Sequence, residues 1–125
     1  MIKILKDALK KIKKDDRILA VALFGSYARD EEYRDIDLAL ILNKKMTKKE
    51  MSKIKVEYLS KINPKIDLHI FQQLPIYIRF RVLKEGKILL SKEDSKLYEI
   101  ALINLKEYEF YKKIYSMYLE NVENR

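Results

Sequence analysis

The chain has 125 residues, a formal net charge of +8 and no cysteine. Its length fits one domain covering 1–125, and the lack of cysteine excludes a disulfide scaffold and a thiolate metal site. No apolar run is long enough to span a bilayer, so we expect a cytoplasmic protein that does not bind a membrane.

The hydrophobic pattern predicts helices and strands that alternate along the chain. Thr47 and Glu50 have the spacing of a helix capping box, and Pro75 and Gly86 suit the two ends of another helix. In chain order we predict a helix over 2–14, strands over 18–24 and 35–42, a helix after Thr47, a strand over 66–71, a helix between Pro75 and Gly86, an edge strand over 87–90 and a long last helix to about Val122.

The junction between the first two strands contains the residues that suggest a chemical function. Gly25 and Ser26 end the first strand, and glycine is used where the backbone turns sharply or approaches a ligand closely. Asp35 and Asp37 open the second strand, and their spacing places both carboxylates on one face. Like charges at this distance repel unless a cation lies between them. The combination therefore predicts a magnesium–nucleotide site, whereas Asp35 and Asp37 alone would fit a solvated turn equally well.

Asp67 is a third candidate ligand, because it alternates with Ile66 and Leu68 in the third strand. If that strand pairs with the second, Asp67 lies on the same surface as Asp35 and Asp37. Three carboxylates around two Mg²⁺ ions form the clamp that in-line nucleotidyl transfer requires. The alternative is an exposed carboxylate at the end of a strand.

The segments Leu23-Phe-Gly-Ser26, Asp35-Ile-Asp37 and Ile66-Asp-Leu68 together resemble the minimal nucleotidyltransferases (MNT proteins) of the DNA polymerase β superfamily. The stretch 74–90 is similar to the one that follows the third aspartate in MNT antitoxins. The resemblance covers roughly residues 18–120. It implies an α/β (α+β) fold of the polymerase-β-like nucleotidyltransferase type, with a mixed sheet flanked by helices and a long C-terminal helix.

The resemblance also implies an activity and a partner. MNT antitoxins of this kind transfer AMP from ATP to a tyrosine of a HEPN-domain ribonuclease toxin and thereby inactivate it, so we expect a hetero-oligomer with such a toxin. By the same resemblance, Gly25 and Ser26 would contact the β- and γ-phosphates. Asp35 and Asp37 would bind both Mg²⁺ ions, and Asp67 would bind the catalytic one and help to deprotonate the acceptor hydroxyl.

Three departures from the family pattern concern the turn between the strands. Only eight residues separate Ser26 from Asp35, where many members have about ten. Arg34 stands where a serine is usual, and Asp30 stands where a glycine is common. Two other functions remain open at this point. One is a small-molecule nucleotidyltransferase of the aminoglycoside-modifying type, and the other is a non-catalytic antitoxin that only binds its toxin.

Other residues have weaker signals. Arg29 could reach a phosphate or lie in solvent, and the single histidine, His69, is interpreted as a packing or hydrogen-bonded residue. The lysines are mixed with glutamates, which favours a charged surface over direct nucleic-acid binding. Five tyrosines occur in the last helix, where they either pack on the sheet or form a partner surface; they are Tyr98, Tyr108, Tyr111, Tyr115 and Tyr118.

Overall fold

The computed structural model describes residues 2–25 and 35–123, and a four-stranded mixed sheet forms its centre. The turn that contains Ser26 and Arg29 lies outside the described residues. The elements are α1 (Ile2–Lys13), β1 (Ile18–Phe24), β2 (Ile36–Leu42), α2 (Lys48–Leu59), β3 (Ile66–Ile70), a 3-10 turn (Phe71–Gln73), α3 (Ile76–Glu85), β4 (Lys87–Ser91) and α4 (Asp94–Glu123).

The strands lie in the order β3-β2-β1-β4. β1 is antiparallel to both β2 and β4, whereas β2 and β3 run parallel. The predicted mixed sheet, the edge position of β4 and the long C-terminal helix are confirmed. The boundaries differ slightly from prediction, because Asp35 precedes β2 and Phe71 already belongs to the turn after β3.

The two faces of the sheet have separate apolar cores, since side chains alternate along each strand. On one face, Leu38 and Leu40 of β2 pack in a cluster with Ile12 of α1 and Ile54 of α2. On the other face, Ile41 of β2 packs in a cluster with side chains from the 3-10 turn and α3, including Phe71 and Val82. Asp37 occupies an alternating position of β2 that belongs to this second face.

Local signals in the sequence explain two of the helices. Thr47 Oγ1 accepts a hydrogen bond from the Glu50 backbone N–H at 3.1 Å, and Glu50 Oε1 accepts one from the Thr47 backbone N–H at 3.2 Å. This is the predicted capping box at the start of α2. Pro75 stands directly before α3 and Gly86 directly after it, as the sequence indicated.

The last helix packs mainly on α3, and its first turns reach the second core cluster through Leu97 and Ile100. Arg79 of α3 donates to the Asn104 side chain at 2.6 Å and lies 3.3 Å from the Glu107 carboxylate. The Phe80 ring stacks on the Tyr108 ring with centroids 3.9 Å apart. Beyond Tyr108 every described side chain of α4 is exposed. Tyr98, near the start of α4, is exposed as well, so the interpretation of tyrosines packed on the sheet is wrong for Tyr98, Tyr111, Tyr115 and Tyr118.

Candidate active site

The parallel pairing of β2 with β3 brings two of the three predicted carboxylates together. In this register Asp37 is the direct neighbour of Asp67, and Ala39 is the neighbour of His69. In the antiparallel pairing with β1, Phe24 stands opposite Asp37. Gly25 follows Phe24, so the end of the first strand, the start of the second and the start of the third meet at one edge of the sheet.

Among the described residues, Asp37, Asp67 and His69 form the group that could hold a metal ion, with one ligand atom from each lying within 4.8 Å of the others. Asp35 stands just before β2 and is exposed, and it is not a member of this group. Its charge nevertheless acts on Asp37, so the three aspartates form one acidic region.

The negative charge of this region contributes to a raised pKa of Asp37. Partial burial raises the pKa of the Asp37 carboxyl, His69 opposes this rise, and the negative charges of Asp67 and Asp35 add to it. A divalent cation would remove the penalty, because it offsets the repulsion among the carboxylates. Carboxylate oxygens are also the ligands that Mg²⁺ prefers. The residues present therefore fit a magnesium site.

Gly25 has a φ of 76°, in the left-handed region that favours glycine. A Cβ at this position would lie 2.5 Å from Asp37 Oδ2 and 3.3 Å from its carboxyl carbon, which is too close for two non-bonded atoms. The glycine thus leaves room for the Asp37 carboxylate as well as permitting the turn. Ser26 and Arg29, the other predicted nucleotide contacts, lie outside the described residues.

His69 is the residue that sequence reasoning undervalued. Its Nε2 lies 3.1 Å from Asp67 Oδ2 and 3.5 Å from Asp37 Oδ1, and its ring contacts Phe24 edge-on with centroids 5.5 Å apart. The interpretation as a packing and hydrogen-bonded residue is compatible with these contacts, but the partners are the candidate metal ligands. Its shared strand face with Asp67 was the available signal. Because Mg²⁺ prefers oxygen to imidazole, His69 fits the role of an orienting partner better than that of a ligand.

Two cavities of the described part of the molecule differ in whether candidate site residues line them. One of about 370 Å³ has a lining that includes Asp35, Asp67, Lys55, Leu59 and Asn63. It adjoins the acidic region and has the size of a small ligand site. A larger cavity of about 770 Å³ is lined by basic and acidic side chains around Arg17, and its lining includes none of the three aspartates. The smaller cavity is therefore the one of these two whose lining includes aspartates of the candidate site.

The family model described as "Polymerase beta, Nucleotidyltransferase" matches residues 6–95. The chain therefore belongs to the polymerase beta nucleotidyltransferase family. It is also 32% identical over 79 residues to the "Putative protein adenylyltransferase" of Methanocaldococcus jannaschii. That match covers 62% of this chain, and the chain spans 59% of the length of that relative.

Solved structures of toxin–antitoxin complexes have a similar fold. One is a toxin–antitoxin with AMP-PNP, with a TM-score of 0.69, 17% identity and 96% of both chains covered. Another is the tri-AMPylated Shewanella oneidensis HEPN toxin in complex with its MNT antitoxin, with a TM-score of 0.66, 19% identity, and 95% of this chain and 98% of that chain covered. At this identity the likeness establishes the fold. Within the described residues no helix is both long and apolar enough to cross a membrane.

Proposed function

We propose that this chain is an antitoxin that transfers AMP from ATP to a tyrosine of a HEPN-domain ribonuclease toxin and thereby inactivates it. The observation that carries the proposal is the side-by-side register of Asp37 and Asp67, with Gly25 held against Asp37. Membership of the nucleotidyltransferase family supports the reaction class. The adenylyltransferase relative and the HEPN complexes of similar fold support the protein acceptor and the partner.

In this mechanism Asp35, Asp37 and Asp67 would hold two Mg²⁺ ions, which would neutralise the triphosphate charge and favour the ionised acceptor hydroxyl. Gly25 lets the backbone approach the phosphates, and Ser26 and Arg29 are the proposed further phosphate contacts. His69 fixes the orientation of the Asp67 carboxylate through the 3.1 Å contact.

The transfer itself forms one bond and breaks another. The tyrosine oxygen attacks the α-phosphorus of ATP, the bond from that phosphorus to the bridging oxygen of the β-phosphate breaks, and pyrophosphate leaves. Asp67 accepts the proton of the tyrosine hydroxyl. We therefore expect Asp67→Asn to retain ATP binding but to lose transfer, because its main task concerns the acceptor.

The first test is incorporation of AMP into the partner. The purified chain is incubated with ATP, Mg²⁺ and the protein encoded by the neighbouring gene, and that protein is analysed by intact mass and peptide mapping. We expect AMP on a tyrosine, and no modification with the Asp35→Asn, Asp37→Asn double variant. Modification that survives in this double variant would contradict the proposal.

The cavity of about 370 Å³ beside Asp35 and Asp67 favours a second candidate, a nucleotidyltransferase for a small hydroxylated compound. The two candidates differ in the acceptor alone. The chain is incubated with ATP, Mg²⁺ and aminoglycosides in the absence of protein acceptors. Adenylylated compound in that reaction would favour the small-molecule candidate, whereas modification of the HEPN-domain protein alone favours the first.

A cytoplasmic location remains a prediction from composition.

A further inference from the structure

The last helix has a heptad-like seam that continues past the body of the domain. Its positions follow one another at alternating intervals of four and three residues, which is the spacing of the contact positions in packed helices. They are Leu97, Ala101, Asn104, Tyr108, Tyr111, Tyr115, Tyr118 and Val122. One face of α4 is thus suited to helix packing along nearly its whole length.

Only the first half of this seam is covered. Leu97 packs against the second core cluster, Asn104 is buried and bonded to Arg79, and Tyr108 stacks on Phe80. From Tyr111 onward the seam side chains are between 39% and 62% exposed. The residues 109–123, which we name the free helical segment, thus repeat a packing pattern without a partner among the described residues.

The free helical segment is apolar on more than its seam. At 100° per residue, its charged residues and its one serine fall within a stripe of about 100° of the helix circumference. They are Glu109, Lys112, Lys113, Ser116, Glu120 and Glu123. Apart from Asn121, all other positions are apolar or aromatic, and several outside the seam are exposed, among them Phe110 at 68%. A helix with apolar residues around most of its circumference is normally buried.

The shape of this surface distinguishes a partner groove from a second copy. In a symmetric pair each copy offers one free helix, which covers one seam and leaves Phe110, Ile114 and Met117 outside the contact. The exposed seam side chains contribute roughly 400 Å² per copy, about half of the ~800 Å² per partner that stable interfaces bury. Covering two-thirds of the circumference requires at least two helices alongside.

We propose that the free helical segment docks into an apolar groove between helices of a partner protein. This is the helix-in-groove mode of recognition, in which side chains at intervals of three and four residues act as anchors. The inference rests on the proposed function in one respect, since it assigns the groove to the HEPN-domain toxin. Docking through α4 would hold the toxin while its tyrosine reaches the carboxylates, which explains how a small domain presents a protein acceptor.

The test measures, by calorimetry, binding of the protein encoded by the neighbouring gene, which the proposed function expects to be the HEPN-domain toxin. The Tyr115→Ala, Tyr118→Ala variant removes two exposed seam anchors, and the matched control, Lys112→Ala with Ser116→Ala, changes the polar stripe of the same segment. We expect at least about 100-fold weaker binding for the tyrosine variant and a change within about threefold for the control. Both variants keep the melting temperature of the wild type, because these side chains are exposed.

Three results would overturn the inference: equal binding by the tyrosine variant, no binding by the wild type, or a concentration-dependent dimer of the free chain that the tyrosine substitutions dissociate. Failure of the proposed function is recognised separately. If the wild type binds the toxin and the tyrosine variant does not, but ATP and Mg²⁺ give no modification, docking stands and transfer fails. If the toxin is modified and the tyrosine variant binds normally, transfer stands and docking fails.

Discussion

Gly25 packs so closely against Asp37 that no side chain fits between them, because a methyl group on Gly25 would lie 2.5 Å from Asp37 Oδ2. The same glycine has a φ of 76°, which an alanine adopts only with strain. The steric requirement at this junction therefore comes from a candidate metal ligand as well as from the turn. Displacement of the Asp37 carboxylate is the expected consequence of any larger side chain at position 25.

The first prediction concerns Gly25→Ala. We expect transfer to fall by about 100-fold or more, since a displacement near 1 Å at a reacting centre has effects of this order. The melting temperature should fall only modestly. The measurement is the rate of AMP incorporation into the toxin beside a thermal melt.

Gly86→Ala is the matched control. A Cβ at Gly86 would clash with the Val82 carbonyl oxygen and would lie 3.1 Å from the Leu23 carbonyl oxygen, so its conflict is with backbone and not with a candidate metal ligand. It should lower stability and leave the rate of the remaining folded protein near that of the wild type. A Gly25→Ala protein that transfers at the wild-type rate would show that Asp37 tolerates the displacement.

A second prediction follows from the raised pKa of Asp37. The folded protein favours the protonated carboxyl, so the ionised group lowers stability as the pH rises from the ordinary aspartate pKa through the raised one. Without Mg²⁺ at neutral pH, Asp37→Asn should therefore melt at a higher temperature than the wild type. The measurement is thermal unfolding in a chelator and again with Mg²⁺ and ATP.

Asp16→Asn provides the control for this charge change, because Asp16 is exposed and lies outside the site. Mg²⁺ with ATP should stabilise the wild type and the Asp16→Asn protein, and it should have little effect on Asp37→Asn. A lower melting temperature for Asp37→Asn in chelator would mean that the ionised carboxylate stabilises the fold.

His69 gives a third prediction, because its contact with Asp67 is the structural basis for an orienting role. His69→Ala should reduce transfer by about 10- to 100-fold, the usual range for partners of metal ligands. His69→Gln retains a donor and should recover part of the loss. The measurement is kcat and KM for ATP, with the main change expected in kcat. Equal rates for all three proteins would reduce His69 to a packing residue against Phe24.

The sequence predicted the helices better than it predicted the arrangement of the candidate site. The capping box of Thr47 and Glu50 and the helix between Pro75 and Gly86 are local features, so the residues themselves were sufficient. The position of Asp67 beside Asp37 depends on parallel pairing between strands far apart in sequence, which the sequence left conditional. The same holds for His69, because a lone histidine has no distinctive signal until its neighbours are known. Gly86 directly follows its helix, as predicted. Its φ is negative, so glycine is required there by the lack of space for a Cβ and not by the backbone conformation.

The exposure of the C-terminal half of α4 was also not predictable from the sequence. The alternation of three- and four-residue intervals continues from Tyr108 through Tyr111 to Tyr115, across the point where packing ends. The pattern alone therefore did not distinguish covered from uncovered positions. The distinction depends on the length of α3, whose Phe80 provides the stacking contact near the end of the covered half.

A fourth prediction concerns stability away from the site. Arg17 holds the pKa of the Asp15 carboxyl well below its usual range, and the Tyr58 hydroxyl donates to the same carboxylate at 2.6 Å. This stabilisation is present above the ordinary aspartate pKa and is lost as the pH falls towards the lowered one. Asp15→Asn should cost about 1–2 kcal/mol of unfolding free energy at pH 7, and the difference from the wild type should shrink in acid. Transfer by the folded variant should be unchanged.

Chemical denaturation at several pH values measures this effect. Asp7→Asn is a suitable comparison, since its ion pair with Lys11 is exposed and should contribute little. A cost for Asp15→Asn that stays constant from neutral to acidic pH would exclude the ionised carboxylate as its source.

The most direct test of the central claim separates covalent inactivation from simple binding. The HEPN-domain toxin is treated with this protein, ATP and Mg²⁺, then purified away under denaturing or high-salt conditions, refolded where necessary, and assayed for RNA cleavage beside a mock-treated toxin. We predict that the treated toxin stays inactive, because an added AMP places a bulky anion where RNA phosphate must bind. The Asp35→Asn, Asp37→Asn variant should leave the separated toxin active. A toxin that regains full ribonuclease activity after treatment with the wild type would contradict the account.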